Sequence, residues 1–339
     1  MRKNWFAFWV LLPAWLCAIG LWSRHQFLKE DETWLQSLYT NIQVKLGNQT
    51  QNGVCLGESA LYVLPESLSD AGLQQTAENI NTFYTTYQIP TCVIAVPDAA
   101  AFYADSLPSD VQLYEQKPQM QQFYNAIDVH IQKTDAYYIL ESKATDYIYY
   151  RTMPYWTSYG AYNVYRSAIQ KMGFVPISYD HYVVSHVQRD VRGELYQQFP
   201  SGTVTPDLLD IYENESGDPT LTLETGSTAQ NLTKTDTLYD TDALLSENPY
   251  NFYLGESAPL QIITTDLENG KQLLVLKDEW ADCMIPFLAQ HYQKICLVDV
   301  RYATALTELV PDLTAYQQVL FLCHTDTYAA STLFDAVLS

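Results

Sequence analysis

Basic residues are scarce in this chain. Lysine and arginine together number 18 against 39 acidic residues, a formal net charge of -21. Nucleic-acid phosphates are held by clusters of Lys and Arg, so the composition argues against a nucleic-acid partner. Charge of either sign is also sparse, at 17% of residues against 47% hydrophobic, which is a globular rather than a disordered composition. The acidic residues form no long run and read as a solvated surface. The six cysteines contain no CxxC pair, which argues against a thiolate metal centre. Cys92, Cys296 and Cys323 sit in apolar runs and read as buried free thiols. No glycine-rich phosphate loop is present. The histidines show no ligand set: His181 and His186 fall on one expected strand, His291 follows an expected helix, and His324 ends an apolar run where a solvated ring is expected. No metal and no cofactor are therefore expected. Tyrosine, in contrast, is abundant at 27 residues; its amphipathic ring suits carbohydrate or protein contacts and also packs in cores.

The N-terminus reads MRKNWFAFWVLLPAWLCAIGLWSRHQ. Arg2 and Lys3 precede an uncharged run from Trp5 to Trp22, at the short end for spanning a bilayer, with flanking tryptophans suited to the interface. No small-residue cleavage site follows, and Cys17 comes after Leu16. An uncleaved signal anchor is thus favoured over a cleaved signal peptide or a lipoprotein. Residues 1–25 are expected to be a cytoplasmic tip and anchor, held in the lipid bilayer through residues 5–22. Residues 26–52 read as a stalk or first helix and residues 53–339 as an extracytoplasmic domain.

Within that domain GVCLGESALYVLPE reads as a short hairpin. SLSDAGLQQTAENINTFYTTYQ reads as a helix capped by Ser69 or Asp70, and TCVIAVPD as a buried strand. A helix is expected around PQMQQFYNAIDVHIQ, a strand at YYILES or DYIYYR, and a helix after Trp156. Residues 200–249, rich in Thr, Ser, Gly, Pro and Asp, read as an inserted β-rich excursion. The last 70 residues alternate strand (KQLLVLKD), helix (EWADCMIPFLAQHYQ), strand (KICLVDVRY), helix and strand (QVLFLCHTD), the pattern of a parallel sheet in an α/β fold. Active sites of such sheets lie at the carboxyl ends of the strands, which places Asp278, Glu279 and residues 299–302 at a functional edge.

The stretch YYRTMPYWTSYGAY (Tyr149 to Tyr162) resembles the Y-Y-R-T-D-H-H-W-T-x-x-G-A-Y run of the bacterial DHHW family, which is similar to SGNH hydrolases and to the acetyltransferase-like proteins of alginate biosynthesis. VPDAAAFYADSLP, VRGELY, NPYNFYLGES, LLVLKDEWADCMIPFLAQHY and VDVRY resemble family blocks in the same order. The resemblance implies a three-layer α/β/α SGNH-like sheet, an extracytoplasmic location and a link to cell-surface polysaccharide. It also implies an Asp and a His three residues and one residue before Trp156, a serine directly after Lys277-Asp278, and an oxyanion-binding Asn in the block containing Gly255-Glu256. Those positions hold Met153, Tyr155, Glu279 and Ser257.

Each replacement removes a piece of acyl-serine chemistry. Met153 cannot orient an imidazole. A phenol with a pKa near ~10 is a poor base at neutral pH. Glu279 has no hydroxyl to acylate, and its charge would oppose an oxyanion. Around them Arg151, Thr152, Trp156, Thr157, Gly160, Tyr162, Lys277 and Asp278 keep the frame. The leading expectation is a catalytically inactive protein that binds surface glycan or supports a membrane-bound O-acyltransferase. Arg151, Tyr155, Trp156, Asp278 and Glu279 are its candidate ligand contacts. Tyr155 is the one expected to be exposed, while Trp156 suits packing and Glu279 suits either a helix cap or a ligand contact. The alternatives are an active esterase, acetyltransferase or two-carboxylate glycosidase using non-standard residues, and a purely structural surface protein.

Overall fold

The computed structural model describes residues 36–338. The expected anchor lies outside these residues, as does the start of the expected stalk, whose described part is a helix over 36–45. Among the described residues no helix is long and apolar enough to cross a membrane.

Strands β1 (Thr50–Gln51), β2 (Val54–Leu56) and β3 (Leu61–Val63) form a small antiparallel sheet that contains the expected hairpin. Helix Asp70–Tyr87 follows, with the Ser69 side chain accepting from the Gly72 N–H at 3.0 Å, as an N-cap should.

The main sheet has eight strands, β5–β4–β13–β11–β12–β10–β8–β9 across its width. These are β4 (Thr91–Val96), β5 (Gln132–Lys133), β8 (Leu221–Thr228), β9 (Asn231–Thr235), β10 (Leu260–Thr265), β11 (Gln272–Lys277), β12 (Lys294–Asp299) and β13 (Gln318–His324). Strands β5, β4, β13, β11 and β12 are mutually parallel, and β10, β8 and β9 continue the sheet antiparallel. Side chains alternate strictly between two cores. On β4, Cys92, Ile94 and Val96 face one core and Val93 and Ala95 the other. On β11, Leu273 and Val275 face the first and Leu274 and Leu276 the second. The first core is closed by helix Ser158–Lys171 through Ala161, Tyr165, Ala168 and Ile169. The second is closed by helices Asp70–Tyr87 and Gln116–Ala126 through Leu73, Ile80, Met120 and Phe123. A sheet covered by helices on both sides needs apolar residues at both alternations, which explains the unbroken apolar runs.

Three local expectations change. YYILES is helical: Ala136–Glu141 starts at the Asp135 cap and buries Ala136, Tyr137 and Leu140 on one side, so core contact outweighs the β-preference of its tyrosines. DYIYYR supplies only an isolated bridge between Tyr149 and Trp156. The helix expected over EWADCMIPFLAQHYQ splits into a 3-10 segment, Glu279–Met284, and a short α-helix, Ile285–Ala289. Pro286 stands at that junction, where its missing N–H costs least. The strands of residues 200–249 do not fold apart. Strand β7 (Asp207–Asn214) pairs with β6 (Tyr182–Val191), while β8 and β9 extend the main sheet. All five described cysteines are free and buried, including the three expected to be.

Candidate functional site

Because β4, β13, β11 and β12 are parallel, their carboxyl ends share one edge. Asp98 follows β4, His324 ends β13, Asp278 and Glu279 follow β11, and Asp299 ends β12 just before Arg301. The chain leaves β11 for β12 on one side and returns to β13 on the other, which opens a crevice at this edge. Strand β10 runs antiparallel to β12 with Leu260 opposite Val298, so the residues before it arrive at the same edge. Leu254 and Gly255, both with left-handed backbone (φ 66° and 77°), turn the chain so that Ser257 enters there. A left-handed conformation at a buried leucine is uncommon, and such residues concentrate at functional positions.

The loop from Tyr149 to Trp156 is closed on itself by Tyr150 N–H to Tyr155 O (3.0 Å) and Thr157 N–H to Ile148 O (2.9 Å). Thr157 then caps helix Ser158–Lys171. The Trp156 indole N–H donates to the Trp280 carbonyl at 2.6 Å, which ties the loop to the end of β11. A second anchor is Asp207, the first residue of β7. Its buried carboxylate accepts from Arg151 N–H (2.6 Å), Thr152 N–H (2.8 Å), the Thr152 hydroxyl and the Tyr147 hydroxyl (2.6 Å).

Three of the four positions that the resemblance singled out, Tyr155, Ser257 and Glu279, come together. Glu279 Oε2 lies 2.6 Å from Arg301 Nη1. Arg301 Nη2 donates to Ser257 Oγ at 3.0 Å, and the same guanidinium grips Asp299 in bidentate fashion through Nε (2.9 Å) and Nη2 (2.6 Å). Tyr155 faces Glu279; burial first, then the Glu279 and Glu194 carboxylates, push its phenol far above its ordinary range, so it stays a neutral donor. Met153 is buried behind the loop against Gly193, where a Cβ would meet Met153 Cγ at 2.0 Å. Only glycine lets these two segments approach so closely.

The candidate ligand contacts divide. Tyr155, expected to be exposed, is only 3% exposed: it stacks on Tyr250 with centroids 3.9 Å apart and meets Trp280 edge-on at 5.4 Å. Trp156 is fully buried packing, as its residue type suggested. Asp278 is buried and engaged by the Trp280 N–H, the His324 N–H and the Thr327 hydroxyl; it, not Glu279, is the cap of the 3-10 segment. Arg151 lies elsewhere, its guanidinium 4.1 Å over the Tyr147 ring and donating to Pro206 O, beside a separate cavity of about 350 Å³. Glu279 keeps partial exposure, at 31% of its side chain, as does the distant Arg151.

Of two further contributors, Arg301 falls within residues 299–302, expected at the functional edge, and Glu194 carried no role in the sequence. Arg301 lies in VDVRY and Glu194 in VRGELY, both quoted as family blocks. Glu194 is half-buried; burial, then the neighbouring Glu279 charge, raise its pKa from 4.5 to about 6. Between those values the folded chain binds more protons than the unfolded one, so stability falls as pH rises through that window. Glu194→Gln should therefore stabilise the protein by roughly 1–2 kcal/mol above pH 6 and by nothing near pH 4. Urea melts at the two pH values measure this; equal gains at both would refute it.

Next to the cluster is a cavity of about 660 Å³. Pro154, Glu194, Glu66 and Asp326 line it, and among the described residues no lysine or arginine does. His324, expected to be solvated, is 5% exposed and stacks on Trp280 at 4.1 Å. Burial alone would lower its pKa, but Asp98, Asp326 and Asp278 outweigh that and hold it up at about 9.

The DHHW protein family model matches residues 30–298. Among solved structures the chain is similar to a DHHW family protein from Eubacterium siraeum, at 20% identity and TM-score 0.72 over 86% of this chain and 97% of that one. It is also similar to Bacillus cereus PatB1 with a sulfonyl adduct, at 18% identity and TM-score 0.69 over 84% and 97%, and to PatB1 alone, at 17% identity and TM-score 0.65 over 84% and 99%. No curated protein matches the chain.

Proposed function

We propose that this chain, which belongs to the DHHW family, is a membrane-anchored extracytoplasmic pseudoenzyme. On this reading it keeps an SGNH-like scaffold to bind cell-surface polysaccharide or to support its O-acetylation beside a membrane-bound O-acyltransferase. One observation carries the reading: the carboxylate of Glu279, where the resemblance implies the family's serine, is ion-paired with Arg301 at 2.6 Å. An acyl-serine cannot form at a carboxylate. The guanidinium that could stabilise an oxyanion is already shared among Glu279, Asp299 and Ser257. Tyr155, held neutral, supplies no base. The full-length protein should turn over p-nitrophenyl acetate and O-acetylated glycans no faster than buffer. Robust turnover abolished by Glu279→Ala would overturn the reading.

A second reading has its own support. Glu194, with its pKa raised by burial and by the neighbouring Glu279, has the environment of a general acid paired with a second carboxyl group. The Arg301 ion pair weighs against it, because it occupies the carboxylate that would attack or activate water. Aryl-glycoside hydrolysis lost in Glu194→Gln would favour this second reading over the first.

A further inference from the structure

We propose that Asp98, His324 and Asp326 form a divalent-cation site of the zinc class at the carboxyl ends of β4 and β13, opening onto the 660 Å³ cavity. One ligand atom from each residue lies within 4.8 Å of the other two. The imidazole is nearly enclosed, yet its Nε2 has no hydrogen-bond partner. That nitrogen stands 3.3 Å from Asp98 Oδ1, about the spacing of two ligands on one tetrahedral ion with bonds of ~2.0–2.1 Å. The other ring nitrogen, Nδ1, accepts the Asp326 N–H at 3.3 Å, which sets the ring orientation.

The surroundings match what a metal site requires of its outer shell. Gln116 holds Asp98 from two sides: its Oε1 accepts the Asp98 N–H at 3.0 Å and its Nε2 donates to Asp98 Oδ2. Trp280 covers one face of the imidazole and leaves the ring edge free. Asp326 is the most exposed of the three, at 65% of its side chain, and lines the cavity, which provides an entry path. One imidazole and two carboxylates suit a first-row divalent ion better than calcium or magnesium, which prefer oxygen alone. Two carboxylates neutralise such an ion and leave coordination positions toward the cavity. There Glu66, Glu194 and Asp326 otherwise present only negative charge. The ion would let this cavity accept a hydroxyl-rich or anionic ligand that its walls alone repel. This site does not depend on whether Glu279 or Tyr155 takes part in any chemistry.

The test is calorimetric titration of chelator-stripped, untagged full-length protein with ZnCl2, with MgCl2 and CaCl2 as comparators. A single zinc equivalent should bind more tightly than either comparator and raise the melting temperature. Asp326→Asn and His324→Ala should each weaken that binding at least about tenfold. Asp326 is exposed, so its variant tests the site even if the His324 variant fails to fold. Absence of zinc binding, preference for calcium or magnesium, or an affinity and melting shift unchanged in Asp326→Asn would each overturn the proposal.

Discussion

Replacing Lys277 with methionine should destabilise the protein by about 3–5 kcal/mol and lower its melting temperature by on the order of 10 °C. Lys277 ends β11 with its side chain 1% exposed, and its ammonium contacts the Asp282 carboxylate, itself 5% exposed. Burial pulls the Lys277 pKa down, but Asp282 and Asp299 more than offset it, and the group stays charged. Burial pushes Asp282 in the other direction, toward the protonated form. Removing only the lysine leaves a carboxylate without water and without its counter-ion, which is the costly case. Removing both charges is different, because two apolar side chains of similar volume need no solvation. Lys277→Met with Asp282→Leu should recover most of the loss, and a double-mutant cycle by urea denaturation separates the two situations. A single variant that loses under 1 kcal/mol, or a double variant no better than the single, would show that the pair does not hold the end of β11 in this way.

Asp207→Ala should cost a similar ~3–5 kcal/mol, through the loss of several hydrogen bonds to one charged acceptor. It should also act locally. Four donors from Tyr147, Arg151 and Thr152 converge on this carboxylate, and Thr152 in turn accepts the Gly193 N–H at its hydroxyl (2.9 Å) and the Leu195 N–H at its carbonyl (3.0 Å). One side chain therefore registers the loop bearing Tyr155 against the segment bearing Glu194. Hydrogen exchange should quicken over residues 149–157 and 193–198 before the rest of the sheet. Uniform acceleration across the sheet would mean that Asp207 contributes only global stability. Asp207→Asn, which keeps one acceptor oxygen, should lie between the wild type and alanine.

The parallel strands and the edge they share were legible in the sequence because β4, β11, β12 and β13 are unbroken apolar runs. A strand buried on both faces leaves no other pattern. Glu279 could likewise be placed from its position directly after Lys277-Asp278. The partners of these residues were not legible. Arg301 reaches Glu279 and Ser257 across β12, and Glu194 comes from a short helix more than eighty residues away in sequence; no local period encodes such meetings. The exposure of Tyr155 and the solvation of His324 failed for a related reason. Both are polar-tipped rings at strand or loop ends, where solvent is the usual neighbour. Here Tyr250 and Trp280, themselves placed by long-range packing, cover them. The helix Ala136–Glu141 illustrates the opposite weakness, since a tyrosine-rich hexapeptide carries strand preference that three core contacts override.

The outer strands of the main sheet bear on how this molecule behaves in a crowd of its own copies. A β-sheet that ends in a long apolar strand offers its open backbone to any neighbour and invites edge-to-edge polymerisation. Here one border, β5, is only Gln132–Lys133. The other, β9, reads NLTKT, is mostly exposed, and meets β8 with a register shift between Gly226 and Thr228. Too short on one side, too polar and kinked on the other, neither border can template a further strand. The eight-stranded sheet thus stays finite even at high protein concentration.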